Sequence, residues 1–219
     1  KTGALAPTSP QELKSTLWKA ADKLRGSLDS SQYKDVVLGL IFLKYVSDAF
    51  DERHHQIAEE LAGEDYDEEA IAESQEDPDE YLGSGVFWVH PDARWDHLVR
   101  LAKVQDTQTI GQRINEAMDL LMEANESLSG TLPRLFNREN IDQQRLAELL
   151  DLLNSVQFAG GGPVRARDLL GEVYEYFLGQ FASSEGKRGG EFYTPASVVR
   201  TIVEVLQPGH GRVYDPCCG

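Results

Sequence analysis

The chain has 219 residues, 41% hydrophobic and 26% charged, with a formal net charge of −16. This is globular composition at a length that allows one large domain or two small ones. The only cysteines, Cys217 and Cys218, are adjacent and offer no disulfide framework. The opening "KTGALAPTSPQELKS" has no apolar core of a secretory signal. The longest apolar run, Val36 to Val46, carries Lys44 and falls short of the ~20 residues that span a bilayer. A soluble, reducing, cytoplasmic setting is expected, with no membrane partner.

The acidity is local. Residues 51–80 hold 14 Asp/Glu against one Arg, leaving 23 acids and 20 bases elsewhere. For this segment we expect a solvated helix end and loop; a patch that mimics DNA or docks a basic partner is the alternative.

In chain order, Ser9-Pro10-Gln11-Glu12 reads as N-cap, N1 proline and capping-box glutamate. The helix that follows sets Leu13, Leu17, Ala21, Leu24 and Leu28 on one stripe, with Gly26 near its end. A second helix starts at Ser30 or Ser31. Its middle, "VVLGLIFLKYVSDAF", is apolar nearly all round and predicts the buried central helix of a bundle. Lys44 and Asp48 stand four apart in it, spaced to pair with each other; Asp48 facing a partner subunit is the other option. Residues 63–79 have few large apolar side chains and predict a surface loop or weak helix.

"GVFWVHPDARWDHLVRLA" predicts an extended piece at Val86–Val89, a turn at His90-Pro91-Asp92 and a short helix, with Trp88 and Trp95 as core aromatics. Ile110, Ile114, Ala117, Leu121, Ala124 and Leu128 keep helical spacing, "LPRLF" breaks it, and "DQQRLAELLDLLNSV" resumes it. "FAGGGP" (158–163) cannot continue a helix and marks a boundary, giving domains 1–158 and 159–219. Beyond it, "ARDLLGEVYEYFLGQFA" is an amphipathic helix with Leu169, Val173, Tyr176, Phe177 and Phe181 to bury. "SSEGKRGG" reads as a polar loop, "PASVVRTIVEVLQP" as a helix, Gly209–Gly211 as a turn and "RVYD" as a strand.

Two stretches point to small-molecule chemistry. In "GEFYTP", Thr194 can cap the helix that Pro195 opens, leaving unpaired N–H groups and a positive dipole end suited to a carboxylate. In "VYDPCCG", Asp215 stands at a strand's end and Gly219 leaves room for close backbone approach, as α/β sheets do at nucleotide-type cofactors. Either stretch alone occurs in proteins without a ligand.

Together, "GEFYTPASVV" and "VYDPCCG" resemble motifs X and I of the amino-group DNA methyltransferases that use S-adenosylmethionine, in the order of the N6-adenine branch. "GSLDSSQYKDVVLGLIFLKYVSDAFDER", "FWVHPDARWDHL" and "ARDLLGEVYEYFLGQFA" resemble the M (modification) subunit of type I restriction-modification systems. The resemblance implies a mainly α fold: an N-terminal helical bundle followed by the truncated start of an α/β, Rossmann-like methyltransferase domain. It implies S-adenosylmethionine as cofactor, with Glu191, Phe192, Tyr193, Thr194, Pro195 and Ala196 at its methionine end. Asp215, Pro216, Cys217, Cys218 and Gly219 would form the first part of the cofactor loop. It further implies a specificity (S) subunit and DNA as partners through the assembled complex, with a restriction (R) subunit left open.

No metal site is expected, since no second Cys/His pair stands at ligand spacing and His54-His55 lies in the acidic stretch. The Asn-Pro-Pro-aromatic motif that holds the flipped adenine in this family is absent, so no catalytic residue is expected here. The expectation is therefore an N-terminal fragment, inactive by itself, of a site-specific adenine DNA methyltransferase subunit. Two rivals stand beside it: a non-catalytic acidic docking module, and part of a single-chain restriction-methylation enzyme.

Overall fold

The computed structural model describes residues 10–22, 30–64, 66–104, 107–158, 162–185, 194, 196–212 and 214. They are mainly helical: α1 (Pro10–Asp22), α2 (Ser30–Ala62), α3 (Glu68–Gln75), α4 (Asp79–Leu82), α5 (Trp95–Leu101), α6 (Ile110–Ala124), α7 (Gln143–Leu153), α8 (Gly162–Glu185) and α9 (Ala196–Leu206). Short 3-10 turns stand at Pro91–Ala93 and Glu126–Leu128. No strand occurs among the described residues. The expected strand "RVYD" falls at Arg212 and Tyr214, both irregular; Val213 and Asp215 lie outside them. A strand is defined by backbone pairing with a neighbour, and the described residues supply none.

Two compact units divide the chain, 1–174 and 175–219, and the cut falls within α8. In the first unit α2 is the axis. Val36, Val37, Leu40, Ile41, Leu43, Val46 and Phe50 are buried along it, as a helix apolar all round requires. Around it pack α3, α4, α5 and α7, while α6 packs on α5 and α7, and α1 on α7. Leu17 and Ala21 carry the buried stripe of α1; Ser9, Leu24, Gly26 and Leu28 lie outside the described residues. Trp95 is fully buried, whereas Trp88 is half-buried.

Long-range polar contacts fix the connections. Thr109 and Gln112 form a reciprocal capping box at the start of α6. The helix stops at Asn125, whose side chain turns back: its Nδ2 donates to the Trp88 (3.0 Å) and Leu121 (2.9 Å) carbonyls, and its Oδ1 accepts from Trp88 N–H. This buried asparagine holds the extended segment Val86–Val89 on the bundle. Gln143 bridges Gly111 N–H (2.7 Å) and the Phe136 carbonyl (3.1 Å), binding α6 to the "LPRLF" stretch. At Gly39 an added Cβ would come within 2.9 Å of Pro133, so the bare backbone lets that stretch lie against α2.

The acidic segment is more ordered than a solvated coil. Asp67 caps α3 by accepting from Ala70 N–H (2.9 Å), and no residue of α3 is buried. Tyr81 of α4 is the anchor, stacked on Phe50 of α2 with ring centroids 4.6 Å apart. The glycine-rich stretch separates α7 from α8, with residues 159–161 outside the described set. Of the expected loop "SSEGKRGG", Ser183 to Glu185 instead continue α8, since nothing before Gly186 breaks a helix. In the second unit Phe177 and Phe181 are buried, and their rings lie 5.9 Å apart.

Candidate functional site

Two places gather groups with chemical potential: the start of α9 and a cleft along α2. Of the residues predicted at the cofactor, Thr194 and Ala196 fall among the described residues. Thr194 is exposed and irregular, and Ala196 opens α9. The helix is described from Ala196, one residue after the Pro195 expected to open it. Glu191, Phe192, Tyr193, Pro195, Asp215, Pro216, Cys217, Cys218 and Gly219 lie outside the described residues. Along α9, Val198, Val199, Ile202, Val203 and Leu206 share one face, and each is at least 45% exposed. Arg200, Thr201 and Glu204 occupy the other face, so the helix is amphipathic with its apolar side uncovered. Tyr214 is 87% exposed.

The second place is built on "FLKYVSDAF". Lys44 and Asp48 pair across one helical turn, both buried, as their spacing allows. The other carboxylate oxygen of Asp48 accepts from Phe158 N–H (2.8 Å), more than a hundred residues away. The Lys44 ammonium also lies 5.7 Å over the Trp95 ring. Trp95 N–H donates to Ser47 Oγ (2.8 Å), and its indole N–H donates to Asn154 (3.1 Å). One face of α2 therefore grips both the start of α5 and the segment leaving α7. Ser47 and Asn154 give no signal in the sequence, because their partners are distant in the chain.

This cleft, about 820 Å³, is also lined by Asp51, His55 and Asp96. Burial pushes the Asp48 carboxyl up, against the pull of Lys44. Asp51 is pushed up to about 6, first by burial and then by Asp48 and Asp96. The cleft is thus polar and mostly acidic, with Lys44 and Arg94 as its basic side chains beside His54 and His55.

The histidine pair is divided between separate tasks. His55 Nδ1 donates to the Asp51 carbonyl (2.6 Å), while His54 meets the Gln75 amide and the Phe50 ring. Burial, and then Arg94, lower the His54 pKa. Arg94 itself covers the Phe50 ring at 4.6 Å and pairs with Glu76 at 2.6 Å. Among the described residues no group of His, Cys, Asp and Glu could hold a metal ion, and no helix is long and apolar enough to cross a membrane.

Residues 13–153 match the HsdM N-terminal domain, and residues 165–219 match the N-6 DNA methylase family. The chain is 38% identical over 214 residues to the type I restriction enzyme MjaIX methylase subunit of Methanocaldococcus jannaschii, covering 95% of this chain and 38% of that protein. It is 42% identical over 116 residues to the HindI methylase subunit of Haemophilus influenzae, covering 50% of this chain and 26% of that one. The crystal structure of the type I restriction-modification methyltransferase subunit from Streptococcus thermophilus superposes with a TM-score of 0.64 at 27% identity, over 92% of this chain and 44% of that one. The chain thus spans well under half the length of the curated relatives it matches. On the match across its helical bundle, and the second match following in order, the chain belongs to the HsdM family of type I restriction enzyme methylase subunits.

Proposed function

We propose that the whole protein is the M subunit of a type I restriction-modification system, methylating adenine N6 in cytoplasmic DNA. The observation that carries this reading is the pair of family matches in tandem, bundle then N-6 methylase, with "GEFYTP" and "VYDPCCG" inside the second. The bundle is the assembly part. The S subunit would select the DNA sequence, and an R subunit is the further partner of a complete system.

Residues 191–196 and 215–219 are proposed to open an α/β, Rossmann-like cofactor domain. The residues at hand fit S-adenosylmethionine: Thr194 is exposed two positions before Ala196, where α9 begins, and a helix's first-turn N–H groups suit a carboxylate. When bound, the cofactor supplies the activated methyl group. Phe192 and Tyr193 would offer apolar surface beside it. Asp215 would accept from its amine or a hydroxyl, and Gly219 would let the backbone come close. The adenine-holding residues are expected elsewhere in the whole protein.

The full-length protein, purified with its S subunit, should transfer label from methyl-tritiated S-adenosylmethionine to DNA, with N6-methyladenine as the product. An assembled complex that binds the cofactor yet yields only methylcytosine, or no methylated base, would overturn the reading.

A further inference from the structure

The contacts at Phe158 carry an inference that goes beyond methyl transfer and does not depend on it. Phe158 is the last described residue before the glycine run and α8, and it is 2% exposed. It is held in two ways from a single helical turn of α2. Its N–H donates to Asp48 Oδ2 at 2.8 Å, and its ring meets Tyr45 edge-on with centroids 6.3 Å apart. Asp48 is in turn fixed by Lys44 on its other oxygen, and Asn154, at the end of α7, accepts from the Trp95 indole. Val156, between these two points, is 1% exposed.

We infer that Lys44, Tyr45 and Asp48 form a catch that fixes where the chain leaves the bundle, and that segment 155–158 unfastens as a local unit when the catch is broken. Three features favour a local device over plain core packing. The segment has no helix or strand of its own: Ser155 and Val156 N–H lean on the Leu152 and Leu153 carbonyls at the end of α7, while Phe158 N–H depends on the Asp48 side chain. A buried N–H that loses its acceptor must open to water or stay unpaired. The contacts that hold its end come from one helical turn of α2, through Tyr45 and Asp48. The buried residues of α6, by contrast, are apolar: Ile110, Gly111, Ile114, Ala117, Met118 and Leu121.

Amide hydrogen exchange on the 219-residue chain tests this with two double variants. In Lys44→Met with Asp48→Leu, apolar groups of similar size replace the buried pair, a change that bundles tolerate, while Phe158 N–H loses its acceptor. In Lys44→Met with Asp48→Asn, the pair's charge is removed but a carbonyl acceptor for Phe158 remains. Exchange at residues 155–158 should accelerate about tenfold or more in the first variant and stay within about threefold of the parent in the second, with Ile114 to Leu121 unchanged in both. An unchanged rate at Phe158 in the Leu variant would overturn the inference. So would equal acceleration in α6, which would mark the pair as general core stability, or equal acceleration at Phe158 in both variants, which would show that the hydrogen bond is not the catch.

Discussion

Gly111 stands in the first turn of α6, a position where sequence rules favour almost any helix former over glycine. Here an added Cβ would strike the Phe136 carbonyl and the Gln143 side chain, and the Phe136 carbonyl is backbone that cannot swing aside. Gly111→Ala should therefore lose stability, by about 1–3 kcal/mol, where an open helical site would gain from the same change. Urea unfolding followed by circular dichroism reads the sign directly. Asp51 makes the second prediction at this scale. Its folded-state pKa of about 6 lies above its ordinary 3.8, so its protonated form favours the fold. That contribution is fully present below 3.8 and is lost as pH rises through 6; Asp48, also pushed up, acts with the same sign. The melting temperature should rise as pH falls from 7.5 to 5.5. Asp51→Asn should flatten this slope and be more stable than the parent at pH 7.5, on the order of 1 kcal/mol. A variant less stable than the parent at pH 7.5 would mean that the charge is favourable.

At the scale of elements, α2 was legible because its apolar residues surround the helix, and burial follows from that pattern alone. The pattern does not rank residues within it. Leu40 and Phe42 read alike, yet Leu40 is fully buried while Phe42 is half-exposed, edge-on to Phe87 at 6.2 Å. Leu40→Asp should unfold the bundle, since an unpaired buried charge costs several kcal/mol, about a domain's whole margin. Phe42→Asp can turn its carboxylate to water and should cost about 1–2 kcal/mol, leaving a cooperative melt. The acidic segment was less legible, for a physical reason. Its helices bury almost nothing of their own, and their anchor, Tyr81, lies just past the charge run against a ring on α2. Gln75 to His54, Arg53 to Glu80 and Arg94 to Glu76 add ties that also cross elements. Tyr81→Ala should release this flap. Exchange across residues 68–82 should rise sharply, with a loss of about 3 kcal/mol from the missing stacked ring. If exchange there stayed slow, the polar ties alone would hold it.

At the scale of the whole molecule, the bundle and the cofactor motifs differ in how completely they are built. The bundle closes on a core: most of its axis helix between Val36 and Phe50 is buried, and Asp67, Thr109 and Asp142 cap the starts of α3, α6 and α7. The start of α9 does not. Thr194 is exposed, every residue from Ser197 to Leu206 is exposed, and Tyr214 projects into water. A capped helix start and an acidic strand end can be proposed from residues alone, because their chemistry is local. A closed pocket is not local; it needs further layers to cover the apolar face of Val198, Val199, Ile202, Val203 and Leu206. Small-molecule sites reach useful affinity by burying ~70–90% of the ligand's surface. A cofactor laid against these exposed groups would keep most of its surface in water, with one helix N-terminus as its main polar partner. That contact adds about 1 kcal/mol or less at an exposed site. The 219-residue chain alone should therefore show no micromolar binding of S-adenosylmethionine by calorimetry, while its circular dichroism shows a folded, helical protein. The full-length protein should bind it. Micromolar affinity in the 219-residue chain would mean that residues 186–219 already enclose the ligand, and the uncovered state of α9 would then not be its state in solution.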